Sequence, residues 1–221
     1  MATPHIRGLL CLLYGLFCSF AYANEAPNAP SVTFYYGNEP PVELLSQFDW
    51  IVVEAANIDP TEQRLLKQHG GQPFAYVSIG ELDSWRDTDT PLPSDALVTK
   101  NDAWDSQVAD LTHPAWRSFL IEEHVRPLWD AGYRGIFLDT LDSYRLFAPD
   151  GAEAERQQAA LIEIIHELRE QFPGIQLLLN RGFEILEHVH GDIVGVAAES
   201  LYQGWNPSTN VFGAVPDEDQ S

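Results

Sequence analysis

Two acidic side chains stand where chemistry is expected. Asp139 follows the apolar run Gly135-Ile136-Phe137-Leu138, and Glu199 follows Ile193-Val194-Gly195-Val196-Ala197-Ala198. A carboxylate at the end of a buried run is costly unless it is paired or hydrogen-bonded, so its presence there asks for a use. Two carboxylates facing each other across a pocket are what glycosidic cleavage needs. One protonates the leaving oxygen while the other attacks the sugar or activates water. The acid must hold its proton near neutrality, which burial or neighbouring negative charge arranges. Glu54, Glu81, Asp139 and Asp142 would supply that crowding around Glu199.

Other polar residues close the same kind of run. Glu54 ends a run at Trp50–Ala55, Glu81 and Asp83 follow Pro73–Gly80, Asp142 follows Asp139, and Asn180 and Arg181 end Gln176–Asn180. Aromatic side chains accompany them: Tyr35, Tyr36, Trp85, Trp104, Tyr144, Tyr202 and Trp205. Their faces suit stacking on sugar rings or cradling an amino-sugar cation, whereas Trp50 and Trp129 read as packing residues. His188 and His190 precede the last run, away from these acids, and make a poor zinc site. There is no phosphate-binding glycine loop, no Gly-x-Ser-x-Gly elbow and no dinucleotide fingerprint. Two-carboxylate chemistry calls for no cofactor and no metal.

The elements that must position these residues are short apolar runs alternating with helical patterns. Strands are expected at Thr33–Gly37, Trp50–Ala55, Pro73–Gly80, Gly135–Thr140, Gln176–Asn180 and Ile193–Ala198. The runs are nearly continuous rather than alternating, as in parallel strands covered on both faces. Helices are clearest at Pro114–Ala131 and Glu155–Phe172, the second stopped by Pro173-Gly174. The pattern predicts an α/β fold of repeated βαβ units. Ligands bind at the carboxyl ends of the strands in such sheets, where the polar residues fall. Glu81 to Leu111 reads as an unusually long connection, of the kind that carries function.

The amino terminus reads as an export signal: Arg7, an apolar run of 13 residues from Gly8 to Phe20, then Ala21-Tyr22-Ala23. Residues 1–23 are expected to be removed and 24–31 to form a linker, leaving one domain over 32–221 in the periplasm or outside the cell. Once the leader is gone, no later segment is apolar and long enough to hold a membrane. Both cysteines, Cys11 and Cys18, lie within the leader, so the mature chain has neither a disulfide nor a thiolate site. The chain carries 12 Lys and Arg against 33 Asp and Glu, a net charge of −21 that becomes −22 without Arg7. Nucleic acid is excluded as a partner, since binding it needs a basic face. A cationic ligand is favoured, since a field of one sign concentrates the opposite sign.

The strings Phe34-Tyr35-Tyr36-Gly37, Ser78-Ile79-Gly80-Glu81, Gly135-Ile136-Phe137-Leu138-Asp139-Thr140-Leu141-Asp142-Ser143-Tyr144 and Ala198-Glu199-Ser200 resemble glycoside hydrolase family 114, the endo-α-1,4-polygalactosaminidases. The resemblance runs from Val32 to Trp205. It implies a (β/α)8 TIM-barrel-like fold and retaining cleavage of a galactosamine- and N-acetylgalactosamine-rich exopolysaccharide. Asp139 would be the nucleophile and Glu199 the acid/base. The implied partners are that cationic amino-sugar polysaccharide and the exopolysaccharide-export machinery. Under it, Glu54, Glu81, Asp83 and Asp142 would line the groove for ammonium groups, beside Tyr35, Tyr36, Tyr144, Asn180, Arg181, Tyr202 and Trp205. Such barrels need about 250 residues, and only six parallel strands are legible here, so an incomplete barrel is expected. The alternative is a non-catalytic or vestigial glycan-binding fragment of a larger protein.

Overall fold

The computed structural model of the protein describes residues 29–83, 92–198, 202–206 and 211–215. In chain order the strands are β1 (Val32–Tyr35), β2 (Trp50–Val53), β3 (Gln72–Ser78), β4 (Glu81–Asp83), β5 (Leu97–Asn101), β6 (Ser106–Ala109), β7 (Gly135–Asp139), β8 (Gln176–Asn180), β9 (Gly195–Ala197), β10 (Gln203–Asn206) and β11 (Val211–Ala214). Six of them, in the order β1-β2-β3-β7-β8-β9, form one all-parallel sheet. Among the described residues the sheet curls into an open half-barrel of the TIM-barrel type. All six expected strands are present, each trimmed by a residue or more at one end or the other except β8. The sixth shrinks most, to Gly195–Ala197.

The continuous apolar runs divide by residue parity, because successive side chains on a strand point to opposite faces. Ile51, Val53, Ala75, Val77, Ile136, Leu138, Leu177 and Leu179 belong to the main core. The helices join them there through Leu45 of α1 (Val42–Leu45), Leu66 of α2 (Pro60–Gln68), Trp116 and Phe119 of α3 (Pro114–Phe119), and Leu161, Ile164, Ile165 and Leu168 of α5 (Gly151–Gln171). Val52, Phe74, Phe137 and Leu178, one position out of phase, form a second cluster on the concave face. That concave face leads to the site.

Local signals explain the helix ends. Asp59 accepts from Thr61 N and Glu62 N while Glu62 reaches back to Asp59 N, a capping box ahead of Pro60 that is worth about 1 kcal/mol. The expected helix Pro114–Ala131 is interrupted: α3 gives way to a π-helical stretch at Leu120–Val125 before α4 (Arg126–Asp130). Pro127 has no N–H to offer Glu123 O, so a regular α-ladder fails there and the wider turns precede it. The other expected helix begins four residues earlier than the sequence pattern suggests, at Gly151.

The long Glu81–Leu111 connection is the main departure from the sequence reading. It contains a three-stranded antiparallel sheet in the order β4-β6-β5, joined to the turn after β3 by Ala109 N → Gly80 O (2.9 Å). Its strands mix Glu, Asp, Lys, Asn, Ser and Gln, so they lack the apolar signature that marks the parallel strands. Residues 84–91, including Trp85, lie outside the described residues. Among the described residues, no helix is long and apolar enough to cross a membrane.

Candidate active site

Asp139 is the last residue of β7, opposite Ser78 of β3 in the parallel register. It shares a face with Phe137, so its carboxylate rises from the concave side of the sheet. Both oxygens are held. Tyr76 Oη donates to Oδ2 at 2.8 Å, and Asn180 Nδ2 donates to Oδ1 at 2.7 Å. Three adjacent strands therefore converge on one carboxylate. Burial pushes the Tyr76 phenol pKa well up, and the Asp139 charge and the hydrogen bond push it further. Tyr76 is thus a permanent donor to Asp139.

The turns beyond these strands are interlocked. Thr140 sits at φ +61°, a left-handed conformation that is strained for a β-branched residue. Its Oγ1 accepts from Gly80 N (2.9 Å) and lies 2.9 Å from Ser78 Oγ. Gly80 is required by this crossing, because a Cβ there would lie 2.3 Å from Thr140 O. Next to it, the Glu81 side chain is buried and accepts from Ser143 Oγ, Ser106 Oγ and Asn101 Nδ2. The two sequence strings Ser78–Glu81 and Asp139–Ser143 are thus halves of one latch beneath Asp139.

A cleft of about 1450 Å³ opens over Asp139. Phe34, Trp50, Phe137 and Leu178 are on its apolar side, and Tyr36, Asn57 and Trp104 are among its other lining residues. The aromatic rings interlock, Phe34 on Phe137 (5.4 Å) and Tyr36 on Tyr76 (5.5 Å), both edge to face. The described lining includes four acids, Glu54, Glu81, Asp83 and Asp139, and no Lys, Arg or His. An apolar and aromatic trough with acidic walls fits a ligand with flat faces and positive charge.

A model of Glycoside-hydrolase family GH114 matches residues 19–216. The chain belongs to that family. It is accordingly a glycoside hydrolase. The structure superposes on the glycoside hydrolase domain of PelA from Pseudomonas aeruginosa with a TM-score of 0.77 and 41% identity, over 87% of this chain and 76% of that one. Aspergillus fumigatus Ega3, solved in complex with galactosamine, shares the fold at a TM-score of 0.61 and 16% identity, over 75% and 64% of the two chains. An uncharacterized protein of Thermotoga maritima is 26% identical over 230 residues, covering 90% of this chain and 70% of its own length.

Within this GH114 domain the sequence-selected residues separate into groups. Asp139, Asn180, Tyr36, Glu54 and Asp83 meet around the cleft. Glu81 touches its edge, but its carboxylate is engaged in the latch. Tyr35 belongs to the opposite parity: it packs against the main core, with its hydroxyl donating to Glu39 O at 2.6 Å. Tyr144 is buried away from the cleft, where Gln158 Nε2 donates to its hydroxyl at 3.0 Å. Asp142 and Arg181 pair with each other at 3.4 Å on the outer rim. Tyr202 is 70% exposed just before β10, and Trp205 lies within that strand. Glu199 lies outside the described residues, two positions beyond Ala197 in the chain. Among the described residues, no cluster of three or more His, Cys, Asp and Glu side chains could hold a metal ion.

Tyr76 was not among the residues selected from sequence. Inside the apolar run Pro73–Gly80 an aromatic looks like core. Its one signal is parity: Phe74, Tyr76 and Ser78 share the face that Phe137 and Asp139 occupy on the next strand.

Proposed function

We propose that the protein is an exported, endo-acting, retaining hydrolase of α-1,4-linked galactosamine and N-acetylgalactosamine polymers. Asp139 is the nucleophile in this reading. The observation that carries it is the Asp139 carboxylate, gripped by Tyr76 and Asn180 at the floor of a cleft whose described lining has four acids and no bases. A nucleophile must be oriented and approachable, and the two donors fix both oxygens of the Asp139 carboxylate in place.

The reaction proceeds in two displacements. Asp139 attacks the anomeric carbon as the glycosidic C–O bond breaks, and Glu199 gives its proton to the leaving oxygen. Water then attacks the same carbon, returns a proton to Glu199, and releases the Asp139 carboxylate. Positioned acid–base help of this kind is worth about 10²- to 10⁴-fold. Glu199 is assigned by its place at the end of the sixth apolar run and by the resemblance of Ala198-Glu199-Ser200 to the family. The cationic polymer is supported by the acidic lining and by a chain with 33 acids against 12 bases. The polymer-export apparatus is the cellular partner that this substrate suggests.

The test is release of reducing ends from partly deacetylated α-1,4-galactosaminan by the protein without residues 1–23. Release that disappears in Asp139→Asn supports the reading. Release no greater than that of the Asp139→Asn control leaves a glycan-binding protein instead.

A further inference from the structure

The turn between β5 and β6 presents an indole to the cleft without using it in the fold. Trp104 is 67% exposed and joins neither apolar cluster, yet it lines the same cleft as Asp139. The backbone beneath it is fastened at several points. Trp104 N donates to Asn101 O (3.3 Å) and Ala103 N donates to Asn101 Oδ1 (3.2 Å). Lys100 Nζ bridges to Asp105 (2.7 Å) and Asp102 (3.6 Å), and Asp105 closes the turn at φ +52°. Asn101 Nδ2 donates to the buried Glu81 carboxylate (3.0 Å), which Ser143 also grips. The turn is thereby tied to the loop that follows Asp139.

A large apolar side chain left in water on an anchored turn is what a stacking site requires: rigid support and an open face. A carboxylate stands at its base. Asp83 pairs with Ser106, and Ser106 pairs with Asn101, so the three close one row of the β4-β6-β5 sheet directly below the turn. Asp83 lines the cleft as well. An aromatic plane beside a carboxylate matches a sugar ring that carries an ammonium group, through stacking and cation–π attraction on one side and charge on the other.

We propose that Trp104 is the platform of a distal subsite for one amino-sugar residue of the polymer, with Asp83 receiving the ammonium group. This rests on the substrate reading above and deepens it. The site at Asp139 breaks the bond, and the Trp104 turn holds a further sugar of the same chain. The domain therefore favours long chains over short ones.

The experiment uses Asp139→Asn protein, which binds without cutting, titrated calorimetrically with fully deacetylated α-1,4-galactosamine oligomers of increasing length. Adding Trp104→Ala weakens binding of the long oligomers by about 3- to 30-fold and leaves that of the dimer unchanged. Trp104→Phe restores part of the loss. Thermal melts verify that the fold is intact in every variant. If long oligomers bind equally well with and without Trp104, or if the loss is the same at every length, the distal subsite is overturned while the substrate reading stands. If the Asp139→Asn protein binds no oligomer of any length, the galactosamine reading falls and the subsite falls with it.

Discussion

Tyr76 Oη donates to Asp139 Oδ2 across the β3–β7 junction, 2.8 Å from oxygen to oxygen. The register explains the reach. Tyr76 stands opposite Phe137, one step below Asp139 on the same face, and a tyrosine is long enough to span that step. Asn180, from the strand on the other side, holds the second oxygen. The carboxylate is thus oriented by elements that are rigid in themselves.

Tyr76→Phe removes a hydrogen bond to a charged group, worth about 1.5–3 kcal/mol. The expected outcome is kcat lower by about 10- to 150-fold, with KM little changed and an unaltered melting curve. The phenol's pKa is raised by burial, then by the Asp139 charge, so Tyr76 remains protonated beyond the ordinary tyrosine range. The ratio of wild-type to Tyr76→Phe rates should therefore stay flat up to about pH 10, where an unperturbed tyrosine ionises. A ratio that collapses towards one below that pH would show Tyr76 losing its proton, contrary to this account.

Gly80→Ala tests the crossing beneath the site. The added Cβ meets Thr140 O at 2.3 Å, a backbone atom that cannot swing aside. A loss of about 1–3 kcal/mol is expected, read as a lower urea midpoint. A fall in kcat should accompany it, because Thr140 adjoins Asp139. Unchanged stability would mean that the two turns are not in fixed contact.

Glu81 gives the clearest contrast between a latch and a substrate-binding acid. Glu81→Ala strands the Ser143, Ser106 and Asn101 donors in a buried place and should cost at least about 2 kcal/mol. Asp83→Ala, in the lining of the cleft, should raise KM for the cationic polymer with kcat little changed. Calorimetric melts and steady-state kinetics on the pair separate the two roles.

Ionic strength tests the charge of the cleft. Four acids and no bases among the described lining predict that KM for deacetylated polymer rises steeply with salt, whereas that for fully acetylated polymer barely moves. Equal salt dependence for the two would remove the electrostatic part of the substrate reading.

Much of this architecture was legible in the residues. The six parallel strands announced themselves because both faces of each are buried, so Ile51, Val52 and Val53, or Ile136, Phe137 and Leu138, make unbroken apolar runs. Asp139 was conspicuous as a charge at the end of such a run. The antiparallel β4-β6-β5 sheet was not legible, since Lys100, Asn101, Ser106 and Gln107 carry no apolar pattern and its strands are joined by backbone pairing and by the polar contacts of Ser106 and Asn101 with Glu81. Parity is also invisible until the concave face is known. Tyr35 and Tyr36 are equivalent in sequence, yet Tyr35 turns to the core and Tyr36 to the cleft. Glu81 and Asp83 are likewise indistinguishable as acids, and only the three donors converging on Glu81 show that it is held for structure.

The central claim is that Asp139 becomes covalently joined to the sugar. The most direct measurement is mass spectrometry of the protein after exposure to a fluorinated, activated galactosaminide that forms the glycosyl ester quickly and releases it slowly. The account predicts one glycosyl residue added, located on the peptide that carries Asp139 and absent in Asp139→Asn. Steady cleavage of the polymer with no label on Asp139, and products of inverted anomeric configuration, would contradict it.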